Sequence, residues 1–441
     1  MKIAWCSPLS RRSGISKFTL AATRALSGLA QVDLWSERLD DNFVVPGLKV
    51  RELLPDDACV EALRGYDAVV YNLGNNADFH SVIHWIYARL RGVVILHDKF
   101  MHHFFAGHYL AGLESLTAYA KVFRHYYGNE AKNEALKAIR RKHPVWETDR
   151  IASFPMFEPC IWNATGLVVH SQEAFDRVAP KAEPVPVRFL HHPFYITHFE
   201  YGDLPLLSRS QLGLPEDRLV LLSHGFINAN KRIDRILNVI AESPELRGRV
   251  FYVVAGGTVL QSTTESLMQQ AERLGLQEQV RFTGFIDDHT LHSYVQAADI
   301  CLNLRFPSIE SSSGSLVEQL YFGKPVVVTR IGSYDELPDE CVVKIDMADE
   351  EGALAEALLR LVDDTDYRAQ VAEAGFQWAQ EHCSAERYAA NLLVFLENIR
   401  DYGQVLDFVD GIADTLSEFL HPGLQAEFVS SISGEIHAIT G

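Results

Sequence analysis

Short apolar runs recur along the chain, and a longer stretch with helical periodicity follows each of them. In the first 200 residues the runs are Lys2–Cys6, Ala68–Tyr71, Val93–Leu96 and Leu167–Val169. A strand that is apolar throughout is buried on both faces, and strands that alternate with helices pair in parallel sheets. The pattern therefore predicts a doubly wound α/β domain here.

The alternation stops between residues 195 and 218, where turn-forming residues replace any sustained periodicity. It then restarts with five further apolar runs, which are Leu219–Leu222, Val250–Val254, Val280–Phe282, Asp299–Leu302 and Pro325–Val328. We therefore expect a second parallel sheet. The predicted division is an N-terminal Rossmann-like domain (1–200), a linker (201–218), a C-terminal Rossmann-like domain (219–385) and a C-terminal helical segment (386–441), for which packing back on the N-terminal domain is one option.

Length and composition fit this division. A chain of 441 residues with 47% hydrophobic residues suits two or three globular domains. No apolar run approaches the ~20 residues of a membrane-spanning helix, and the first residues do not have the pattern of a signal peptide. The six cysteines form no C-x-x-C pair. We therefore expect a reducing, cytoplasmic location and neither structural zinc nor disulfides.

Charge is distributed unevenly along the chain. The net charge is −18, but residues 1–200 carry 23 basic and 21 acidic groups, whereas residues 201–400 carry 17 and 30. An acidic chain disfavours nucleic-acid binding. We expect no nucleic-acid partner, and we expect any anionic surface or substrate to meet the first half.

Two glutamates, Glu310 and Glu318, stand eight residues apart around a Ser- and Gly-rich segment. On one continuous helix they would lie about 12 Å apart, too far for an acid/base pair at one bond. The serines and Gly314 instead predict a loop over 310–314 and a helix from about Ser315. The start of such a helix offers free N–H groups to a phosphate, and Glu318 would face a neighbouring group such as ribose. The alternative is that both carboxylates are solvated helix ends.

This segment resembles the retaining glycosyltransferases of family four, which have the two-domain GT-B fold. The resemblance rests on Glu310-x7-Glu318, on Gly323-Lys-Pro-Val-Val-Val and on Glu336-Leu-Pro, with Gly225 and Lys231 at the position of the diphosphate loop. It covers roughly residues 1–400. It implies an α/β protein of two Rossmann-like, doubly wound parallel-sheet domains facing each other across a cleft, with C-terminal helices.

The resemblance also implies a role for individual residues. Glu310 and His97 would act at the sugar and count as catalytic. The donor-binding residues would be Gly14, Gly225, Lys231, Arg232, Gly284, Phe285, Ser313, Gly314, Ser315, Leu316 and Glu318. The acceptor side would be lined by Arg11, Arg12, Asp98 and His170.

The implied reaction moves a sugar from a nucleotide-sugar donor to a glycan or lipid-linked acceptor, as in bacterial surface-polysaccharide synthesis. The expected donor is GDP-mannose or a UDP-hexose, and we expect no cofactor. The one Asp-x-Asp candidate, Asp364–Asp366, lies between helical segments, so we expect no metal site either. Lys231 has an argument of its own, because a departing nucleoside diphosphate needs a cation or a metal to stabilise its charge.

The chain departs from the family pattern at two positions. Phe226 follows Gly225 where the family has arginine, and Ser313 replaces a glycine. Arg232 or Arg305 could supply the missing cation. One alternative is a sugar-nucleotide epimerase or phosphorylase on the same fold. The other is a non-catalytic glycan- or nucleotide-binding assembly protein, which the two departures keep open.

An aromatic stretch over residues 100–127 precedes a basic one, Lys137–His143. Aromatic rings beside a basic helix could receive a glycan or lipid-linked acceptor, or could contact the inner face of the membrane peripherally. The alternative is an ordinary core beside a solvated helix face.

Overall fold

The computed structural model describes residues 1–10, 13–37, 45, 47–110, 115–194, 204–258, 261–403, 405, 406 and 408. They separate into two compact units. The first unit contains Met1–Leu190, Ile309–Ser311 and the described residues from Tyr388 onward. The second unit contains His191–Ser308 and Ser312–Arg387.

Parallel strands form the centre of the first unit. They are β1 (Lys2–Cys6), β2 (Gln31–Ser36), β3 (Lys49–Glu52), β4 (Ala68–Leu73), β5 (Gly92–Leu96), β6 (Ala164–Val169) and β7 (Val187–Phe189). The helices of this part of the chain are α1 (Gly14–Ser27), α2 (Asp57–Leu63), α3 (Ala77–Tyr87), α4 (His102–Leu110), α5 (Leu116–Arg140) and α6 (Gln172–Ala182). The seven strands described here pair in the order β3-β2-β1-β4-β5-β6-β7, and each pairing is parallel.

The second unit repeats this plan with six strands among its described residues. They are β8 (Leu219–His224), β9 (Val250–Ala255), β10 (Val280–Gly284), β11 (Ile300–Asn303), β12 (Val326–Thr329) and β13 (Val343–Ile345), in the parallel order β10-β9-β8-β11-β12-β13. The helices are α7 (Ile233–Glu242), α8 (Gln261–Arg273), α9 (Asp288–Ala297), α10 (Gly314–Tyr321), α11 (Glu350–Asp363), α12 (Thr365–His382) and α13 (Ala385–Asn398). The prediction of two Rossmann-like parallel-sheet domains is confirmed.

The apolar runs explain the central strands. All five residues of β5 are buried, and so are all six of β9, as expected for strands covered by helices on both faces. Strand order reverses between β1 and β4 in the first unit and between β8 and β11 in the second. Loops at the carboxyl ends of such strand pairs are where doubly wound sheets bind ligands.

Two local features of the helices follow from single residues. Gly128 interrupts α5 with φ 84°, a backbone conformation that favours glycine, so α5 is two helical segments joined by a kink. Asp364, in the Asp-x-Asp candidate, is exposed, and its carboxylate accepts the N–H of Tyr367 at the start of α12. Its position as an N-cap agrees with the expected loop between helices.

Helix α13 packs within the first unit from Tyr388 onward. The Tyr388 ring meets Phe18 edge-on at 5.4 Å between centroids. Gly166 of β6 lies beneath Ile399, so that a Cβ there would fall 2.5 Å from the Ile399 Cδ1 atom. The six cysteines are free thiols. Among the described residues, no helix is both long and apolar enough to cross a membrane.

Candidate functional site

Glu318 lies on α10 in the interior of the second unit, with 5% of its surface exposed. Its Oε2 atom is 2.8 Å from His224 Nε2, and its Oε1 atom is 2.6 Å from His292 Nε2. Burial acts to raise the pKa of Glu318, but the hydrogen bonds from the two histidines lower it far below its ordinary value. Glu318 is therefore a buried carboxylate with an N–H donor on each oxygen.

A chain of amides sets the tautomer of His224. The Gln319 side-chain oxygen accepts from Asn303 Nδ2 at 2.8 Å, so the Gln319 amide nitrogen faces His224 Nδ1, 3.2 Å away. Because Nδ1 accepts this bond, the ring proton resides on Nε2, where it points at Glu318. Burial lowers the pKa of His224. The imidazole is thus a neutral donor to Glu318.

Lys231 is also buried, with 6% of its surface exposed, and its ammonium group donates to the main-chain carbonyl of His224. It lies against Gly225, where a Cβ would fall 3.1 Å from the Lys231 Nζ atom. Gly225 has φ 94°, and a Cβ on Gly256 would fall 2.2 Å from the Gly225 carbonyl oxygen. The backbone therefore requires glycine at both positions, Gly225 directly after β8 and Gly256 directly after β9.

Arg232 follows Lys231 but has a carboxylate partner. Its Nε donates to Glu350 Oε1 at 2.8 Å, and a second bond joins its guanidinium to the other Glu350 oxygen. These hydrogen bonds raise the pKa of Arg232. Arg305 is buried and donates to the carbonyl of Leu304 at 2.8 Å. Phe226, at the position of the family's arginine, is 46% exposed. The charge of Arg232 is thus balanced by Glu350.

Helix α10 begins as predicted, within one residue of Ser315. Ser313 caps it, because its hydroxyl accepts the N–H of Leu316 at 3.3 Å and lies 3.1 Å from the Ser315 hydroxyl. Gly314 is the first helical residue. The N–H groups of this first turn are the groups that a phosphate would meet.

Two of the predicted donor-binding residues, Gly284 and Phe285, lie at the end of β10. Gly284 has φ 67°, and Phe285 is 67% exposed. The Cβ position of Gly257 lies 3.4 Å from the Phe285 Cβ atom, so the ring stands over a glycine backbone. The Phe285 side chain is therefore presented to solvent beside the main chain of Gly257.

His97 follows β5 in the first unit and is buried. Its Nε2 lies 3.0 Å from Asn72 Oδ1, and Asn72 Nδ2 donates in turn to a carbonyl of β1. Phe18, on α1, meets the His97 ring edge-on at 4.6 Å, and the ring of buried His170 lies 5.3 Å from it. Since α1 begins at Gly14, Phe18 connects the first helix with His97.

Glu310 belongs to the same unit and forms an antiparallel backbone bridge with Asp98. Ser311 donates its N–H to the carbonyl of His97 at 3.3 Å. Asp98 Oδ2 accepts the N–H of Asn75 at 2.8 Å. Burial, and after it the charge of Glu310, raise the pKa of Asp98 to about 7. The structure therefore brings Glu310, His97 and Asp98 together. Predicted residues Arg11 and Arg12 lie outside the described residues.

Sequence reasoning did not single out the partners of these groups: His224 and His292 on Glu318, Asn72 on His97, and Glu350 on Arg232. A signal existed for two of them. His224 and Asn72 are polar residues within apolar strands, LVLLSH and AVVYNL. Fully buried polar side chains are rare, and each of them needs a partner. Within the described ranges, no group of three or more His, Cys, Asp or Glu residues is arranged to hold a metal ion.

The sequence from Leu207 to Trp378, which includes every second-unit residue discussed above, matches the family described as Glycosyl transferases group 1. Residues 207–378 are the part of the chain that matches this family, and they are called the group 1 domain. The family resemblance of this part of the chain is therefore confirmed. The group 1 domain contains His224, Lys231, His292 and Glu318.

Curated relatives match part of the chain. The D-inositol 3-phosphate glycosyltransferase of Streptomyces scabiei is 32% identical over 159 residues, which are 34% of this chain and 35% of the relative. The protein of the same name from Streptomyces coelicolor is 28% identical over 211 residues, 46% of each chain. The chain thus matches less than half the length of these relatives.

Solved structures match across both units. HepE of Anabaena, in complex with UDP and glucose, has a TM-score of 0.62 at 17% identity, covering 90% of this chain and 99% of HepE. Sucrose-phosphate synthase from Thermosynechococcus elongatus has a TM-score of 0.63 at 17% identity, with 90% and 99% coverage. At this identity the likeness shows the fold, and the predicted GT-B fold is confirmed.

Proposed function

We propose that this chain is a retaining glycosyltransferase that moves a sugar from a nucleotide-sugar donor to a hydroxyl group of an acceptor. One observation carries the proposal. Inside the group 1 domain, a buried lysine and a buried carboxylate both bond to His224, and the carboxylate lies near the capped start of a helix. His224 accepts from Lys231 through its carbonyl and donates to Glu318 through its ring, and Glu318 lies one turn into α10.

The donor's leaving group fits these residues. A nucleoside diphosphate departs with about two negative charges, and prepositioned cations and N–H groups stabilise such charge as it develops. Lys231 would supply the cation. The first turn of α10, with Ser313, Gly314 and Ser315, would supply N–H and hydroxyl groups. Glu318 would accept hydrogen bonds from ribose hydroxyls.

The sugar would be handled by the group around Glu310. The glycosidic carbon gains positive character as its bond to the phosphate oxygen breaks, and the Glu310 carboxylate would stabilise that charge. His97 would contact the sugar hydroxyls. In a front-face reaction the acceptor oxygen bonds to the same face of that carbon, and its proton passes to the departing phosphate oxygen. This route is an implication of the family resemblance.

For the acceptor we propose a glycan or a lipid-linked glycan in bacterial polysaccharide synthesis, with the chain acting in the cytoplasm or peripherally at the inner membrane face. A cavity of about 450 Å³ in the first unit supports this class. Trp85, Tyr126 and Trp162 line it beside Arg89 and Lys121, and aromatic side chains with polar neighbours suit sugar rings. The names of the curated relatives indicate transfer to an inositol phosphate.

A UDP-hexose is the first donor to test, because HepE is known in complex with UDP and with UDP-glucose, and GDP-mannose is the second. The full chain would be incubated with UDP-, GDP-, ADP- and dTDP-sugars, and release of nucleoside diphosphate would be measured with and without EDTA. We expect release from one donor class, unaffected by EDTA. Lys231→Met should lower turnover about 100-fold, whereas Arg273→Met, an exposed cation on α8, should not.

A non-catalytic nucleotide-binding protein is the second candidate. The observation that favours it is the reduced number of cations, since Phe226 replaces an arginine and Glu350 balances Arg232. Binding of a nucleotide sugar without release of nucleoside diphosphate would select this candidate. A strict requirement for added manganese or magnesium would refute metal-independent transfer.

A further inference from the structure

We infer that His224 and His292 are positioning residues that hold Glu318 in the orientation needed to discriminate ribose from 2′-deoxyribose in the nucleotide. This inference rests on the proposed function, because it concerns how the donor's nucleoside is recognised. It goes further in assigning that selectivity to two histidines outside the Glu-x7-Glu motif.

The geometry of the carboxylate supports this role. A carboxylate has about four acceptor positions, two on each oxygen. His224 and His292 occupy one position on each oxygen of Glu318, at 2.8 and 2.6 Å. Both oxygens are therefore fixed in place, and one acceptor position remains on each. Two adjacent acceptors in a fixed plane match the two neighbouring hydroxyl groups of a ribose.

The histidine contacts come from two different elements. His224 is the last residue of β8, and His292 lies on α9. A carboxylate on one helix, held from a strand and from a second helix, cannot rotate without breaking a bond to one of them. A glutamate on a surface helix, without partners on two other elements, would lack this restraint. Fixing the carboxylate before the ligand arrives lowers the entropic cost of binding.

His224 also links the carboxylate to the start of α10. Its Nδ1 accepts from Gln319, Gln319 accepts from Asn303, and Asn303 donates to the Ser315 hydroxyl at 3.1 Å. Ser315 belongs to the turn assigned to the donor phosphates. The nucleoside end and the phosphate end of the proposed donor site are thus joined through side chains that are buried or nearly so.

The energetics argue against a purely structural cluster. Removing a carboxylate from water costs several kcal/mol, and buried ionic groups can often be replaced by apolar residues of similar size without loss of stability. Burying Glu318 with two histidine donors therefore stabilises the fold less than apolar side chains of similar size would. A ligand that uses the remaining acceptor positions accounts for it.

The test compares ribose and deoxyribose nucleotides on the full chain by calorimetry, with UDP and GDP as probes against their 2′-deoxy forms. For the nucleotide that binds, we expect the native chain to favour the ribose form by about 10- to 100-fold, as for hydrogen bonds to a charged group. His292→Phe, which keeps a ring and loses the donor, should bring this ratio close to one. His292→Gln, which restores an N–H at similar reach, should recover most of it.

One control and two outcomes separate the possibilities. His289→Phe is the matched control on the same helix, because His289 bonds the carbonyl of Pro205 instead, and it should keep the native ratio. If His292→Phe binds nucleotide with an unchanged ratio, the inference is overturned while the proposed function stands. If the native chain binds no nucleotide, the proposed function fails and the inference with it.

A folding defect would not leave the question open. If His292→Phe does not fold, His292→Asn and His292→Gln provide a polar pair in which only the longer amide reaches Glu318. A lower ratio in the Asn variant than in the Gln variant supports positioning. Equal ratios in the two folded variants contradict it.

Discussion

Asp98 should make the first unit less stable as the pH rises from about 4 to about 7, and Asp98→Asn should remove this effect. Asp98 is largely buried, accepts the N–H of Asn75 at 2.8 Å and lies beside Glu310. Burial first, and then the Glu310 charge, raise its pKa to about 7 from an ordinary 3.8. An asparagine at this position still offers an oxygen to the Asn75 N–H but carries no charge at any pH.

The sign follows from proton binding. Between about pH 4 and pH 7 the native state keeps the Asp98 proton that the unfolded chain has released, so the free energy of unfolding falls as pH rises. The difference of roughly three pH units corresponds to about 4 kcal/mol at 1.36 kcal/mol per unit. Because Asp98 keeps some exposure, this is an upper value. We therefore expect Asp98→Asn to match the native chain near pH 4 and to be more stable above pH 7.

Hydrogen–deuterium exchange of peptides from β4 and β5 measures the opening free energy of the first unit alone. A measurement on one unit is needed because two units need not unfold together. The opening free energy would be compared at pH 4.5, 6 and 7.5, after correction for intrinsic exchange. Asp57→Asn, an exposed carboxylate on α2, is the control and should keep the native slope. Identical slopes for Asp98→Asn and the native chain would refute the assignment of this titration to Asp98.

The two motif glutamates should fail differently when they are changed. Glu318→Gln loses a charged acceptor at the proposed ribose site and should weaken nucleotide binding by about 1–3 kcal/mol in calorimetry. Glu310→Gln should instead depress turnover with nearly normal nucleotide affinity, because its charge acts where the sugar becomes positive; native turnover in both variants would contradict the proposed donor site. Replacing Arg140, Arg141 and Lys142 with serine should weaken flotation with anionic vesicles or raise the KM for acceptor while donor affinity stays constant. Unchanged vesicle binding and kinetics would identify that stretch as a solvated helix end.

The central strands were predictable because each of them contains a short run of apolar residues, but β2 was not predicted. Its sequence, QVDLWS, contains Asp33, which is buried in the structure. Asp33 is tolerated there because the Tyr66 hydroxyl and the Arg51 guanidinium both donate to it. These partners lie 33 and 18 residues away. A local pattern cannot show that a carboxylate inside a strand will be satisfied by distant donors.

The edge strands β3, β7 and β13 were also beyond the reach of the pattern, whereas the edge strand β10 was predicted. β3 reads KVRE and has no fully buried residue, while β7 and β13 have three residues each. A strand that pairs on one side only needs neither length nor a continuous apolar run, and charged residues on it discourage pairing with other chains. Such segments form because the neighbouring strand offers unpaired main-chain groups, which the sequence of the edge itself does not reveal.

The Glu310–Glu318 motif was found from its spacing, yet the spacing does not tell where each carboxylate goes. Glu310 clusters with Asp98 in the first unit, and Glu318 lies inside the second. The chain passes from the first unit to the second between Ser311 and Ser312. The histidines on Glu318 come from 94 and 26 residues away, and the chain has 18 histidines. Only the sheet order that brings β8 beside β11 places His224 next to α10.

His224 shows why the buried cation and the buried carboxylate of the group 1 domain depend on each other. Its carbonyl receives the Lys231 ammonium group and its ring donates to Glu318. The positive and negative groups therefore do not neutralise each other by direct contact, and each is held by a dipole of the same residue. Charges fixed by dipoles need little reorganisation when a ligand arrives. A diphosphate near Lys231 and a ribose near Glu318 would thus meet groups that are held in place before binding. A side-chain substitution at His224 should release Glu318 but not Lys231, because any residue at this position keeps the main-chain carbonyl that Lys231 contacts.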